Sequence, residues 1–412
     1  MDNKAILCVI AIFFAVGGID DLIGNRLGLG SVFLETLQKM GMILLGVMGI
    51  YSLAPVAAEY VGAAVTPLAD ALHMDPSVFP AMLFPVDMGG FQLAVETAKD
   101  PRMGLVSGAL IASLCGATVG YTITVASTVM DKRFFPQLAR GILSGMAGIP
   151  VGCVVGAVLA GVPLPAALYN CLPLWVLAGL LMWGLLCAPE KMTKGFTVFG
   201  RILSAIAVVG LILQAVQMLT GWTILPGMAP AQEGLRLVGT IIFIMTGAMC
   251  LLTVLSRVLR RPLRFVARKM GIGGEAVTGI LSAAVSVTLT FTQVEKMDER
   301  GLIVVCAFCA TGAHVIGGQL GVVADLAPEM VWPFLAAKAV AGAVGIALAL
   351  VLTRNRQNAA RRRGRRPHCG LWRPHCGFWA PTLWALAPAL RVLAPALRVL
   401  APDLRGLDRT LL

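Results

Sequence analysis

The chain has 412 residues, 58% of them apolar and 13% charged, with a mean hydropathy of +0.85. A soluble chain carries about a quarter charged residues, so a globule of this composition could not be covered with polar groups, and a soluble enzyme is excluded. The net charge of +12 sits at one end: residues 1–353 hold 21 Lys and Arg against 19 Asp and Glu, while residues 354–412 hold 12 Arg against two Asp. The basic balance therefore implies no nucleic-acid surface on the body. Apolar runs of about 20 residues, without the alternating ten-residue strands of an outer-membrane barrel, predict an all-α polytopic membrane protein.

In chain order, the first predicted span is 4–19. It lacks a basic n-region and a small-residue cleavage site, so it reads as a retained helix. A span at 41–57 and an amphipathic stretch at 58–73 follow. Residues 77–98 carry two prolines, a glycine pair and Asp87, too interrupted for a plain helix. Spans are predicted next at 104–130, 137–161, 168–188, 199–221 and 235–258. An amphipathic stretch at 259–271 precedes residues 274–294, broken by Gly274, Gly279 and a string of Ser and Thr. Spans at 300–324 and 329–353 complete the body. Backbone freed at membrane depth must be buried in protein or line a cavity, so 77–98 and 274–294 are expected to be broken or re-entrant hairpins.

The same order of elements occurs twice at an offset of about 195–198 residues, and even the charged loops Asp100–Gly104 and Asp298–Gly301 align. The expected organisation is a first repeat, 1–161, with hairpin 77–98; a linker span within 162–198; and a second repeat, 199–353, with hairpin 274–294. Each repeat has four spans and one hairpin. Five crossings separate the first span from its counterpart if the hairpins do not cross, so the repeats are inverted. Lysine and arginine placement agrees. With the C-terminus inside, the inner segments hold 16 Lys and Arg and the outer ones four, a positive-inside bias. Inverted repeats with discontinuous helices at matching positions mark a secondary transporter, with its site at the repeat interface.

After Arg354 prolines recur every seventh residue from Pro367 to Pro402, and RPHCGLW, RPHCGFW and a doubled APALRVL occur. Proline at that spacing forbids a continuous helix. His368, Cys369, His375 and Cys376 have zinc-ligand chemistry, but the pattern reads as a disordered tail from an expanded DNA repeat. Its Arg cluster at 361–366 suits anionic lipid. The ten cysteines show no paired metal or disulfide spacing. No metal and no cofactor is expected. H-E-x-x-H, G-x-S-x-G and P-loop motifs are absent, which argues against an enzyme.

Asp87 is the leading site candidate. A carboxylate at bilayer depth costs about 2.5–3.5 kcal/mol, so it should face a cavity or pair with a cation, and it can also cap the helix from Phe91. Gly89 and Gly90 would let backbone approach a ligand. Glu96 shares the face of Asp87 if the segment is helical, with an interfacial charge as its plainer reading. Gln92 and Gln293 occupy matching hairpin places and suit a hydroxyl. Ser286, Thr288, Thr290 and Thr292 alternate. They line one side of extended backbone, or, in a helix, each bonds a carbonyl one turn back. His314 reads as a structural hydrogen-bonder, Gln319 as a polar group in the same span, and Lys338 as a cation that pairs with a carboxylate or snorkels.

LAPVAAEYVG at 53–62, DPSVF at 75–79, DMGGF at 87–91, IPVGC at 149–153, PEKMTKGF at 189–196, ILPGM at 224–228 and MDERG with CAF within 297–308 together resemble the EutH family. The resemblance covers about residues 1–353. It implies a permease of the bacterial inner membrane that imports ethanolamine for a cytoplasmic lyase in a microcompartment. Its partners would be that small substrate and the lipid bilayer, with no nucleic acid; a homo-oligomer is compatible with it. Ethanolamine at neutral pH is a small ammonium with one hydroxyl, which the set Asp87, Gly89, Gly90, Gln92, Glu96, Thr288, Thr290, Gln293 and Gln319 could hold. The family pattern has Asn-Asn-Ile-Pro where this chain has Ser286-Val287-Thr288-Leu289. It has Gly-Asp-His-Leu-Gly where this chain has Gly317-Gly318-Gln319-Leu320-Gly321. Another small amine or amino alcohol is the alternative substrate, and a non-transporting membrane scaffold or sensor the remoter one.

Overall fold

Apolar runs and their punctuation become helices and their interruptions. The computed structural model describes residues 3–38, 40–258 and 260–363; the proline-periodic residues from 364 onward, with His368, Cys369, His375 and Cys376, lie outside them. All regular structure among the described residues is helical. Among the described residues, eight helices are long and apolar enough to cross a membrane: Ala5–Leu22, Ile43–Ala71, Pro101–Val129, Lys132–Leu159, Leu164–Leu181, Lys194–Thr220, Ala231–Val258 and Pro328–Arg354. The chain is a multi-pass membrane protein. The chain divides after Ile346; residues up to it form one compact unit, and the last helix is Val331–Arg363.

The run expected as a ninth span, 300–324, is broken. Helix Glu299–Cys309 ends, residues 310–317 run as turns, and helix Gly318–Leu326 follows. Gly312, Gly317 and Gly318 weaken the helix here, and His314 takes a left-handed φ of 58°. The freed backbone is satisfied by a neighbour: His314 N donates to Ala283 O at 2.9 Å and Ile316 N to Ala284 O at 3.1 Å. That is how irregular backbone survives at membrane depth.

Both interrupted segments are broken where the sequence is unusual. In the first, helix Val78–Leu83 stops because Pro85 pushes Phe84 into extended backbone, φ −99° and ψ 127°. A kink at Val86–Gly90 follows, with Gly89 at φ 79°, and then helix Phe91–Thr97. In the second, helix Gly274–Val285 and helix Val287–Phe291 flank an extended Ser286. The polar alternation after Ser286 is thus helical, not a strand: Thr290 Oγ1 donates to Ser286 O at 3.1 Å and Thr292 Oγ1 to Leu289 O at 2.8 Å.

The span from Pro101 starts on an Asp100 cap that accepts from Arg102 N at 2.9 Å. It turns to π winding over Ser107–Gly116 and Thr118–Thr122 and ends as the α-helix Ile123–Val129. It is the most buried of the spans. The Val86–Gly90 kink packs on both this span and Gly318–Leu326, and Val287–Phe291 packs on Ile123–Val129. With Thr118 Oγ1 bonded to Ala310 O, all three breaks meet the span Pro101–Val129.

Elsewhere helices close on small residues, as membrane helices do. Met40–Ala71 crosses Pro189–Thr220 at Gly49 and Gly210, where a Cβ on Gly49 would overlap the Ala207 carbonyl. Loops at the span ends are organised around carboxylates. Asp75 accepts from the amides of Ser77, Lys99 and Asp100 at 2.9–3.1 Å. Asp20 accepts from those of Leu27, Leu29 and Gly30 at 2.8–3.0 Å. Lys99–Asp70, Arg133–Glu295 and Arg140–Glu299 add exposed ion pairs, each worth at most about 1 kcal/mol.

Candidate functional site

The convergence of the breaks gathers polar side chains that the sequence scatters over 250 residues. Asp87 is placed by the Val86–Gly90 kink and remains half-buried. Gly89 holds the positive φ of that kink, and a Cβ there would meet the Ile50 side chain at 2.7 Å. A Cβ on Gly90 would overlap the Phe84 carbonyl. In this structure both glycines let the kink close on protein.

Lys338 is 2% exposed, in the last span. It does not snorkel. Its Nζ donates to Ser113 O at 2.8 Å, Ala313 O at 2.6 Å and Gln319 Oε1 at 2.6 Å, and its ammonium stands 5.6 Å from the Phe334 ring centroid. No ion pair within 4 Å joins Lys338 to Asp87 among the described residues, yet the two charges act on each other electrostatically.

Tyr121 and Thr288 border the same place. The Tyr121 hydroxyl and Thr288 Oγ1 are 3.1 Å apart in a hydrogen bond, and Tyr121 is within electrostatic reach of Asp87. The Tyr121 ring meets that of His314 edge-on at 5.6 Å. His314 Nε2 accepts from Val287 N at 3.4 Å, the first amide after the Ser286 break. His314 is thus a structural hydrogen-bonder that ties two breaks together. Thr118 Oγ1 donates to Ala310 O at 2.6 Å and Thr122 Oγ1 to Cys309 O at 3.4 Å, satisfying carbonyls where the broken span leaves its helix.

Of the sequence candidates, Asp87, Thr288 and Gln319 meet in this cluster. Gln92 is near in sequence, and its Nε2 is buried without a hydrogen-bond partner, an orphan donor of the kind that costs about 1–3 kcal/mol. Thr290 is fully buried and committed to Gly279 O and Ser286 O. Glu96 is exposed near the end of its helix, and Gln293 sits in the turn after Phe291. No side-chain hydrogen bond ties either to the cluster among the described residues. Sequence reasoning missed Tyr121 and the carbonyls of Ser113 and Ala313. A tyrosine in an apolar run carries no signal, and a carbonyl has no sequence signature.

The arrangement can hold a small cation. It has one carboxylate within electrostatic reach of a hydroxyl pair. A separate cleft of about 400 Å³ opens at the loops around Asp75, Lys99, Asp100, Arg102 and Asn170. None of the cluster residues lines it. Among the described residues no group of His, Cys, Asp and Glu is arranged to hold a metal ion.

Comparison with known proteins gives a family and close relatives. The family described as "Ethanolamine utilisation protein, EutH" matches residues 2–352. A "Probable ethanolamine permease EutH" of Listeria monocytogenes is 39% identical over 350 residues, covering 85% of this chain and 94% of the relative. "Uncharacterized protein YxeR" of Bacillus subtilis is 32% identical over 351 residues, covering 85% and 95%. A "Probable ethanolamine permease EutH" of Salmonella typhimurium is 29% identical over 388 residues, with the same coverage. No solved structure matches.

Proposed function

The chain belongs to the EutH family of ethanolamine utilisation proteins, and from that premise we propose that it imports ethanolamine, as ethanolammonium, across the bacterial inner membrane. It is a secondary transporter working by alternating access between two inverted repeats, N-terminus outside and C-terminus cytoplasmic. The observation that carries the site is the Asp87 carboxylate, set on a kinked segment and in no ion pair with Lys338 among the described residues. The substrate ammonium binds Asp87, a charge-assisted contact that a neutral amide would not replace. The hydroxyl is bound by the Tyr121–Thr288 pair and the free Nε2 of Gln92.

Broken helices support the mechanism. A short half-helix can tilt about its break while the long spans around it keep their packing, and sites at such breaks are typical of carriers built from repeats. The π winding at Ser107–Thr122, a distortion found mostly at functional sites, lies against the Val86–Gly90 kink.

The test is uptake of labelled ethanolamine at low micromolar concentration and mildly acidic pH into proteoliposomes, with Asp87→Asn beside the wild type. Saturable uptake that falls at least about a hundredfold in the variant is expected, a loss of about 2.7 kcal/mol. Wild-type uptake equal to that of empty liposomes would sink the ethanolamine assignment.

A second reading keeps the architecture and changes the amine. The departures at Ser286–Leu289 and Gly317–Gly321 include Thr288 and Gln319, both in the cluster. Competition of ethanolamine uptake by choline, serinol and 2-aminopropanol separates the two. A competitor that outbids ethanolamine is the substrate.

A further inference from the structure

A lysine ammonium in the interior of a membrane protein needs an explanation, and its surroundings supply one. Lys338 Nζ is enclosed by three carbonyl-type oxygens, Ser113 O, Ala313 O and Gln319 Oε1, at 2.6–2.8 Å. They come from three places: the π-wound span, the turns at 310–317 and the helix after them. None is a carboxylate. Such a ring of oxygens replaces the hydration shell of a bare monovalent cation in filters and carriers, and unwound backbone is where carriers place coupling ions. Asp87 is within electrostatic reach of Lys338, with no ion pair within 4 Å between them among the described residues.

We infer that this cage is a monovalent-cation site occupied by the protein's own Lys338 ammonium, which serves as a tethered counter-ion in place of a travelling one. Resting on the transport reading above, this gives Lys338 a role in the cycle. When the site is empty, Asp87 would be an uncompensated carboxylate at membrane depth, costing about 2.5–3.5 kcal/mol. A carrier that relies on sodium or a proton solves this by carrying the ion back and forth. Here the compensating charge is carried by a covalently attached side chain. The carrier can therefore return empty without a bound ion, and uptake needs no sodium or potassium gradient. Lys338 is a positioning residue for charge: it keeps Asp87 ionised and available without occupying the place of the substrate.

Removing the side chain beyond Cβ should vacate a site that a small cation can refill. Full-length Lys338→Ala, Lys338→Met and wild type are purified in detergent. They are melted in potassium, sodium, methylammonium and choline chloride at equal ionic strength, without ethanolamine. The wild type should melt at one temperature in all four. Lys338→Ala should melt lower in choline, which is too large for the cage, and recover about 2–4 °C, saturably, in potassium or methylammonium. Lys338→Met, which fills the space without charge, should not recover. An alanine variant as indifferent to cations as the wild type would overturn the proposal. So would a methionine variant that recovers equally, since the cations would then act elsewhere. If the alanine variant cannot be purified, wild-type proteoliposomes decide. Uptake should agree within about twofold in sodium, potassium and choline media, and a tenfold or greater dependence on sodium or potassium overturns the tethered ion. Because the melts contain no ethanolamine, a failure of the transport reading leaves the cage to be judged separately.

Discussion

The hydroxyls of Tyr121 and Thr288 share a 3.1 Å hydrogen bond that joins the π-wound span to the second broken segment. Neither side chain is fully buried, and the pair stands beside the carboxylate proposed to hold the substrate cation. A neutral hydrogen bond is worth about 0.5–1.5 kcal/mol. Tyr121→Phe and Thr288→Val should therefore each raise the KM for ethanolamine by about two- to tenfold. If they act as one unit, the double variant should be no worse than the poorer single. Fully additive losses in the uptake KM would show that each hydroxyl works alone.

Transport of ethanolammonium without a compensating ion moves one positive charge per turnover. Moving that charge through 100 mV is worth about 2.3 kcal/mol. An imposed inside-negative potential of about 100 mV should therefore raise steady-state accumulation about fiftyfold over zero potential. Accumulation that ignores the potential would mean that a neutral species crosses or that a cation leaves in exchange.

Helix crossing at Gly49 leaves no room for a side chain, whereas nothing stands within 4 Å of a Cβ on Gly46, one turn earlier in the same helix. Gly49→Val should force Met40–Ala71 away from Pro189–Thr220, at about 1–3 kcal/mol or more. Gly46→Val should be tolerated. The monodisperse yield of each variant from detergent on size-exclusion chromatography checks the contrast, and equal yields would contradict this packing.

Asp75 is 8% exposed and collects three backbone amides from the loops on either side of the first broken segment. Asp75→Ala would leave those donors without their acceptor. A loss of about 2–4 kcal/mol is expected, as for charge-assisted bonds and caps, read as a lower melting temperature in detergent. Asp70→Ala serves as the control. Its ion pair with Lys99 is exposed, and the melting temperature should barely move.

Much of this architecture was legible from residues alone. Apolar runs located the eight spans, and Pro85 with the Gly89–Gly90 pair announced the first break. The second break was announced only by composition, and the backbone choice after Ser286 stayed undecided because alternation of Thr with apolar residues suits a strand as well as a short helix. The break at 310–317 was hidden. It contains no proline, and its glycines read as the small residues any membrane helix carries. What makes it a break is tertiary: amides of His314 and Ile316 have carbonyls waiting for them at Ala283 and Ala284. Lys338 was visible as a buried cation, but its partners were not, because two of three are backbone oxygens.

The π winding between Ser107 and Thr122 carries a further consequence, for how this span tolerates changes in length. Each residue of an α-helix advances about 100° around the axis, so the extra residues absorbed by wider turns set the direction in which Tyr121 points. Removing a single residue between Gly108 and Gly116 would leave an apolar helix still long enough to span the bilayer. It would also swing Tyr121 by about a quarter turn away from Thr288. In this span the number of residues, not only their identity, writes the address of the hydroxyl.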